Sequence, residues 1–168
     1  MKESSIYLRQ LDVSDGPLIY RLLQRIPRME NGVINTAYGL GYREYKEWLR
    51  RQADIANGIA LSNGMVAQTL YWFYVDEVPV GVGKIRHELT NELREGGGNI
   101  SYCIEQSHRG KGYGTKLLAK LIEEARRQGV TELLAAVYSY NKDSIQVALH
   151  NGGKIIKTTA TKTYLSFE

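Results

Sequence analysis

The apolar positions change period several times along the chain, and each change marks an element. Residues Ser5 to Leu11 alternate, with Ile6 and Leu8 set against Tyr7 and Arg9, the two-residue period of a strand. Asp12 or Ser14 is then placed to cap a helix with Pro17 in its first turn, where a missing N–H costs nothing. Leu18, Ile19, Leu22, Leu23 and Ile26 make one face of that helix, which stops at Pro27. The polar, glycine-spotted stretch Asn31 to Gly41 is expected as a loop, and a second amphipathic helix runs from Tyr42 to Ile55 with Trp48 and Leu49 on its apolar side. Gln68 to Val75 is dense in aromatic and β-branched residues and predicts a strand. Asp76 and Glu77 turn it back into Val78 to Glu88, which makes a hairpin. A polar loop through Glu95 to Gly98 leads to a further strand, Asn99 to Glu105.

The last third has the clearest pattern. Gly114, Leu117, Leu118, Leu121, Ile122 and Ala125 form one helical stripe, backed by Lys116, Lys120, Glu123, Glu124 and Arg127, and Gly129 supplies a left-handed stop. Leu133 to Val137 is continuously apolar, as in a strand covered on both faces of a parallel sheet, so a strand–helix–strand unit with a right-handed crossover is expected. A short helix, Asn141 to Asn151, ends at Gly152 and Gly153, and two strands, Lys154 to Thr159 and Thr163 to Phe167, close the chain. The sum is an α+β domain with a mixed sheet.

The length of 168 residues fits a single domain, residues 1–168, large enough to need no staples. A composition of 43% hydrophobic and 24% charged residues is globular. The formal charge of +4 suits an anionic ligand but, without a basic tract, does not point to nucleic acid. A lone cysteine, Cys103, predicts a reducing compartment, and no apolar run or signal-like N-terminus points to a membrane, so the protein is expected in the cytoplasm.

The chemistry concentrates in Ser107-His108-Arg109-Gly110-Lys111-Gly112-Tyr113-Gly114-Thr115, between a strand and a helix N-terminus. Glycines let the backbone come close to a ligand, and the first helical N–H groups have no partner of their own. With the positive dipole end and the charges of Arg109 and Lys111, this is an anion site suited to a pyrophosphate. A Rossmann loop would need glycine at Thr115, and a Walker loop would need Gly-Lys-Ser/Thr.

Arg109-x-x-Gly112-x-Gly114 resembles the R/Q-x-x-G-x-G/A signature of the GNAT (Gcn5-related N-acetyltransferase) superfamily. The resemblance extends over Gln68 to Gly153. Arg86-His87-Glu88-Leu89, Gly97-Gly98-Asn99-Ile100-Ser101-Tyr102 and Asn151-Gly152-Gly153 are similar to a bacterial subgroup of acetyltransferases. It implies a GNAT-like fold: a central, mostly antiparallel sheet of about seven strands, with one splayed parallel pair and helices on both faces. It also implies acetyl-CoA as cosubstrate, no metal, and transfer of acetyl to a primary amine of a small molecule or of a protein or peptide. Carried onto matching positions, backbone groups of Tyr102 and Ile104 pair with the pantetheine arm. Loop N–H groups from Gly110 to Thr115 hold the pyrophosphate, and Asn141 and Ser144 contact the ligand on the next helix. The Ile104 N–H polarises the thioester carbonyl.

The family's usual proton donor, a tyrosine four residues before the glycine that ends this helix, would fall at position 148, which is Ala148. Tyr138 and Tyr140 are replacement candidates, weighed against ordinary strand-end tyrosines. His150 lies far around the helix and reads as a surface residue. For the base, Glu105 and His87 are candidates, with Glu88 beside them. Against these stand an idle, solvated glutamate and a histidine bonded to the Gly96–Gly98 loop. Cys103 should face away from Tyr102 and Ile104 as packing. The acceptor cleft is expected between Asn31 to Tyr42 and the loop after Glu88. A non-catalytic acetyl-CoA-binding module is the alternative that Ala148 keeps open, and a homodimer is the default assembly.

Overall fold

In the computed structural model, residues 2–30 and 33–168 are described; Asn31 and Gly32, at the start of the expected acceptor loop, lie outside them. The elements follow the order β1 (Ile6–Gln10), α1 (Pro17–Arg25), β2 (Met29–Glu30), β3 (Val33–Ile34), α2 (Tyr42–Ala56), β4 (Gln68–Val75), β5 (Val78–Arg86), α3 (Asn91–Glu95) and β6 (Ile100–Ile104). Then come α4 (Tyr113–Arg127), β7 (Leu133–Tyr138), α5 (Lys142–His150), β8 (Lys154–Thr158) and β9 (Lys162–Phe167). They form an α+β fold of two antiparallel sheets, β1-β4-β5-β6 and β7-β9-β8, with β2 and β3 as a separate hairpin.

Strand β4 shows how one run of sequence covers two faces. Tyr71 and Phe73 point into the core shared with α4 and its Leu117, Leu118 and Leu121. Trp72 and Tyr74 point the other way, into the core made with α1 and α2 around Ile19, Tyr45 and Trp48. Alternation along the strand requires this, and a one-residue slip would exchange the two sets. Each fully buried leucine of α4 contributes about 1.5–3 kcal/mol by leaving water.

The first helix begins later than a side-chain cap predicts. Its N-cap is Gly16 and no side chain caps it. Asp12 instead accepts from the Ser14 N–H at 2.8 Å, while Asp15 turns inward to accept from Trp72 Nε1 at 2.7 Å and pair with Arg9 at 2.6 Å. Two elements fall where loops are expected: the β2–β3 hairpin, and α3, whose cap is the Thr90 hydroxyl accepting from Leu93 N. Both are too short for a readable period.

The parallel pairing of β6 with β7 is not present among the described residues: β6 pairs with β5 and β7 with β9. Among the described residues the two sheets share a single β-bridge, at one corner. Gly98 and Ala135 form an isolated antiparallel bridge, and Asn99 N donates to Leu134 O at 2.9 Å. The buried Asn99 side chain then accepts from Leu134 N at 2.8 Å and donates to Glu132 O at 2.7 Å. Side-chain bonds thus replace the next rungs of a ladder, and among the described residues β6 and β7 have no ladder between them beyond Ile100. The corner needs glycine: Gly98 has φ +69°, and a Cβ there would lie 2.2 Å from Leu134 O.

Candidate active site

Strand β6 ends at Ile104, and a 3-10 turn, Gln106–His108, leads into the glycine loop. Gly112 is the N-cap of α4 with φ +78°, and no side chain caps the helix. The N–H groups of Gly112, Tyr113, Gly114 and Thr115 therefore have no intrahelical acceptor, while Lys116 N already bonds back to Gly112 O at 3.4 Å. Two contacts hold this terminus in place. The Tyr113 ring meets Phe73 edge-on at 6.4 Å, and Asn151 Nδ2 at the end of α5 donates to Thr115 O at 3.2 Å.

The loop opens into a cleft of about 480 Å³ bounded by β6, β7, α4 and α5. One wall is the free edge of β6. Glu105 N bonds Val80 O and Arg86 N bonds Asn99 O, so odd-numbered residues of β6 face β5. In an antiparallel ladder the residues between them, Tyr102 and Ile104, turn their N–H and C=O groups away from β5. That edge faces the gap toward β7, beside Ala136 and Val137. Asn141 and Ser144 line the opposite side; Asn141 Oδ1 caps α5 by accepting from Ser144 N at 3.2 Å. The Tyr102 hydroxyl is enclosed and makes no hydrogen bond among the described residues. Burial pushes its pKa up, and the nearby Ser144 side chain only partly offsets this.

Of the residues singled out in the sequence, Tyr102, Ile104, Gly110, Gly112, Tyr113, Gly114, Thr115, Asn141 and Ser144 come together on this cleft, whereas Lys111 is exposed outside its lining. Arg109 borders the cleft but its guanidinium is engaged elsewhere. Nε donates to Ile104 O at 2.9 Å, and Nη1 and Nη2 form a bidentate pair with Glu30 at 2.8 and 2.9 Å. A carboxylate 2.8 Å away satisfies the charge that was expected to meet a pyrophosphate. Glu105 is not a solvated strand-end glutamate: it is 5% exposed, accepts from the Ser107 hydroxyl and lies 3.7 Å from His108 Nε2. Burial pushes its pKa up, but the bonds from Ser107 and the charge of His108 outweigh that and hold it below the usual value.

His87 is bonded to Thr69 Oγ1 at 2.7 Å and borders a different cavity, beside Gln10, Leu11 and Gln128; the Gly98 carbonyl takes Arg86 Nη1 instead, at 2.9 Å. Tyr138 stacks on Tyr140 with centroids 5.4 Å apart, under Lys162, and is not in the cleft lining. His150 is exposed, as its helical angle requires.

A second cavity, about 440 Å³, lies on the other face of the first sheet, under α1, β3 and α2. Its floor is Leu70, Val82 and Lys84, and it meets the first cleft at two shared residues, Val33 and Cys103. Cys103 is buried there against Leu22 and Ile26, and burial pushes its thiol pKa up.

Residues 33–152 match the Acetyltransferase (GNAT) family. The chain belongs to the GNAT family. Among curated proteins, a 47-residue segment is 45% identical to the L-methionine sulfoximine/L-methionine sulfone acetyltransferase of Salmonella typhimurium, spanning 28% of each chain. The match thus spans little more than a quarter of that relative. Among solved structures, a GNAT-family acetyltransferase from Streptococcus pneumoniae superposes with TM-score 0.65 at 18% identity over 96% of this chain and 97% of its own. RimL, a ribosomal L7/L12 α-N-protein acetyltransferase solved in complex with coenzyme A, gives 0.70 at 16% identity over 96% and 93%. These likenesses show the GNAT fold.

Within this GNAT chain the position of the usual tyrosine, Ala148, is 1% exposed and packed in the α4 core. Three residues of the site were not singled out in the sequence. Asn99 falls within the Gly97 to Tyr102 motif without an assigned role, Lys84 lies inside the expected strand Val78 to Glu88, and Glu30 lies in a strand pair too short to show a period. Only Asn99 had a usable signal, a polar residue directly after a glycine run and at the start of an apolar strand.

Proposed function

We propose that the chain is an acetyl-CoA-dependent N-acetyltransferase that transfers acetyl to a primary amine of a small molecule or peptide by direct attack on the thioester. The observation that carries this reading is the meeting of two cavities at Cys103 and Val33, one bordered by a helix N-terminus and a free strand edge, the other on the opposite face. The cleft fits the cosubstrate in kind. The N–H groups of Gly110 to Thr115 take the pyrophosphate, and the Tyr102 backbone takes the pantetheine amides in the gap between β6 and β7, which leaves the Ile104 N–H for the thioester. Asn141 and Ser144 hold the same arm from α5.

The Ile104 N–H donates to the thioester oxygen, where negative charge develops on attack; a preorganised donor of this kind lowers a barrier by about 3–4 kcal/mol. An ammonium acceptor first gives up a proton, and Glu105, next to this donor in sequence, takes it through water. The amine nitrogen then bonds to the carbonyl carbon as the C–S bond breaks, its electron pair leaving on sulfur. Tyr102, a phenol enclosed on the cleft with no hydrogen bond among the described residues, gives a proton to that thiolate in place of the missing tyrosine and recovers one through water from the new amide nitrogen, which carries one proton too many after attack. Cytoplasmic residence agrees with the lone cysteine, and a homodimer is the assembly to look for.

The test is thiol release from acetyl-CoA across a panel of amines. Amine-dependent release is expected, and Gly112→Val should abolish coenzyme binding while leaving the circular dichroism spectrum intact, because nothing lies within 4 Å of its new Cβ but its φ is +78°. Saturable coenzyme binding with no release from any amine would replace the enzyme with a binding module, the alternative that Ala148 keeps open.

A further inference from the structure

The second cavity carries an unusual charge pattern. Both charged residues on its lining are cations, Lys84 and Arg86; no carboxylate lines it among the described residues. The rest is apolar or neutral: Trp48, Ile55, Met65 and Leu70 form walls, and Gln52 and Gln68 add amides. Lys84 projects from the middle of β5, on the face that also bears Leu70 and Val82, and is mostly enclosed. Its ammonium makes no hydrogen bond or ion pair among the described residues. Arg86 uses Nη1 on Gly98 O at 2.9 Å, which leaves the rest of its fork uncommitted.

An enclosed, unpartnered ammonium on an apolar cavity wall is costly to the fold, and an arginine two residues along the same face adds repulsion. Burial, with Arg86 second, pushes the Lys84 pKa down to about 8. A packing role would be filled better by leucine or methionine. A ligand anion relieves both burdens at once, which gives the residue a reason to be there.

Geometry then orders the ligand. Val82 pairs with Cys103, the residue shared with the first cleft, and Lys84 lies two positions further along the same face of β5. Two strand residues span roughly 6.6 Å, within reach of a lysine stem. An amine presented at Cys103 therefore has its acid group a few bonds away at Lys84, with its apolar body against Trp48 and Met65.

We infer that the acceptor is an amine carrying a carboxylate, of the free amino acid class with an uncharged side chain, and that Lys84 and Arg86 are its specificity-determining anion anchor. This rests on the acetyltransferase reading for the transfer step, but binding can be measured without it. The coenzyme-loaded protein is titrated calorimetrically with L-leucine, L-methionine and L-phenylalanine, each beside its primary amide and its decarboxylated amine. The same compounds are then compared by thiol release.

Preference for the carboxylates by roughly 10- to 100-fold is expected, the range of one charge-assisted contact. Lys84→Met should erase that preference, Lys84→Arg should restore much of it, and both should bind acetyl-CoA as the parent does. Equal or better binding of the amides, or a preference that survives Lys84→Met, would overturn the inference. Carboxylate-selective binding without thiol release would leave the anchor standing and overturn the acetyltransferase reading instead. Should Lys84→Met fail to fold, the amide series on the parent protein decides alone.

Discussion

Arg109→Ala should act on the architecture of the site rather than on the pyrophosphate directly. The residue belongs to the coenzyme signature, yet its three donating nitrogens are taken up by Ile104 O and Glu30. The bond from Nε reaches the carbonyl of a buried strand residue, and a charged donor there contributes about 1.5–3 kcal/mol. The pair with Glu30 is partly solvated, with side chains 39% and 26% exposed, and adds at most about 1 kcal/mol. The variant should lose about 2–4 kcal/mol by urea titration, a fall of roughly 4–16 °C in melting temperature for a domain of this size. Acetyl-CoA affinity should weaken by the same factor at low and high salt, since the cause is a displaced β6 end and not a lost phosphate charge. A Glu30→Gln, Arg109→Ala double-mutant cycle should show coupling of about 0.5–1 kcal/mol. Normal melting with coenzyme affinity that falls only at low salt would refute this reasoning and restore Arg109 as a direct phosphate ligand.

Lys84→Met should stabilise the ligand-free protein near pH 7. A lysine whose pKa falls from 10.5 to about 8 on folding penalises the fold at every pH below about 8, by at most about 3 kcal/mol, and the penalty fades as pH rises to 10.5. Urea titrations at pH 7 and pH 10 should show the gain shrinking with pH; a variant less stable than the parent at pH 7 would contradict it. Glu105 has the opposite sign. Its lowered pKa stabilises above the ordinary value of 4.5 and is lost as pH falls below it, so Ser107→Ala should raise the midpoint of acid unfolding, followed by circular dichroism. Asp15→Ala strands the fully buried Trp72 N–H and should cost about 1–3 kcal/mol, while in a Trp72→Phe background the loss should be smaller.

How much of this was legible beforehand depends on the range of the interaction involved. The glycine loop was legible because its demands are local: a left-handed Gly112, and helix N–H groups without partners, follow from a few consecutive residues. The helices α2, α4 and α5 and the hairpin β4–β5 were legible because amphipathic period and turn chemistry are written along one segment. The catalytic candidates were harder. Glu105 and His87 are both candidate bases from the sequence, but nothing in the immediate sequence of Glu105 indicates 5% exposure, and the partner of His87 is Thr69, 18 residues earlier.

What the sequence by itself determined is the family signature, the order of the elements and the kind of ligand the loop can hold. The tertiary structure alone decided that β6 and β7 part after a single corner, because Asn99 replaces ladder bonds with side-chain bonds to residues more than thirty positions away. It alone decided that Arg109 answers to Glu30, 79 residues away, and that Lys84 lines a cavity with no hydrogen bond or ion pair among the described residues. Periodicity reports which face of an element is buried, but not which charges meet there, since opposing charges come from distant segments that only packing brings together.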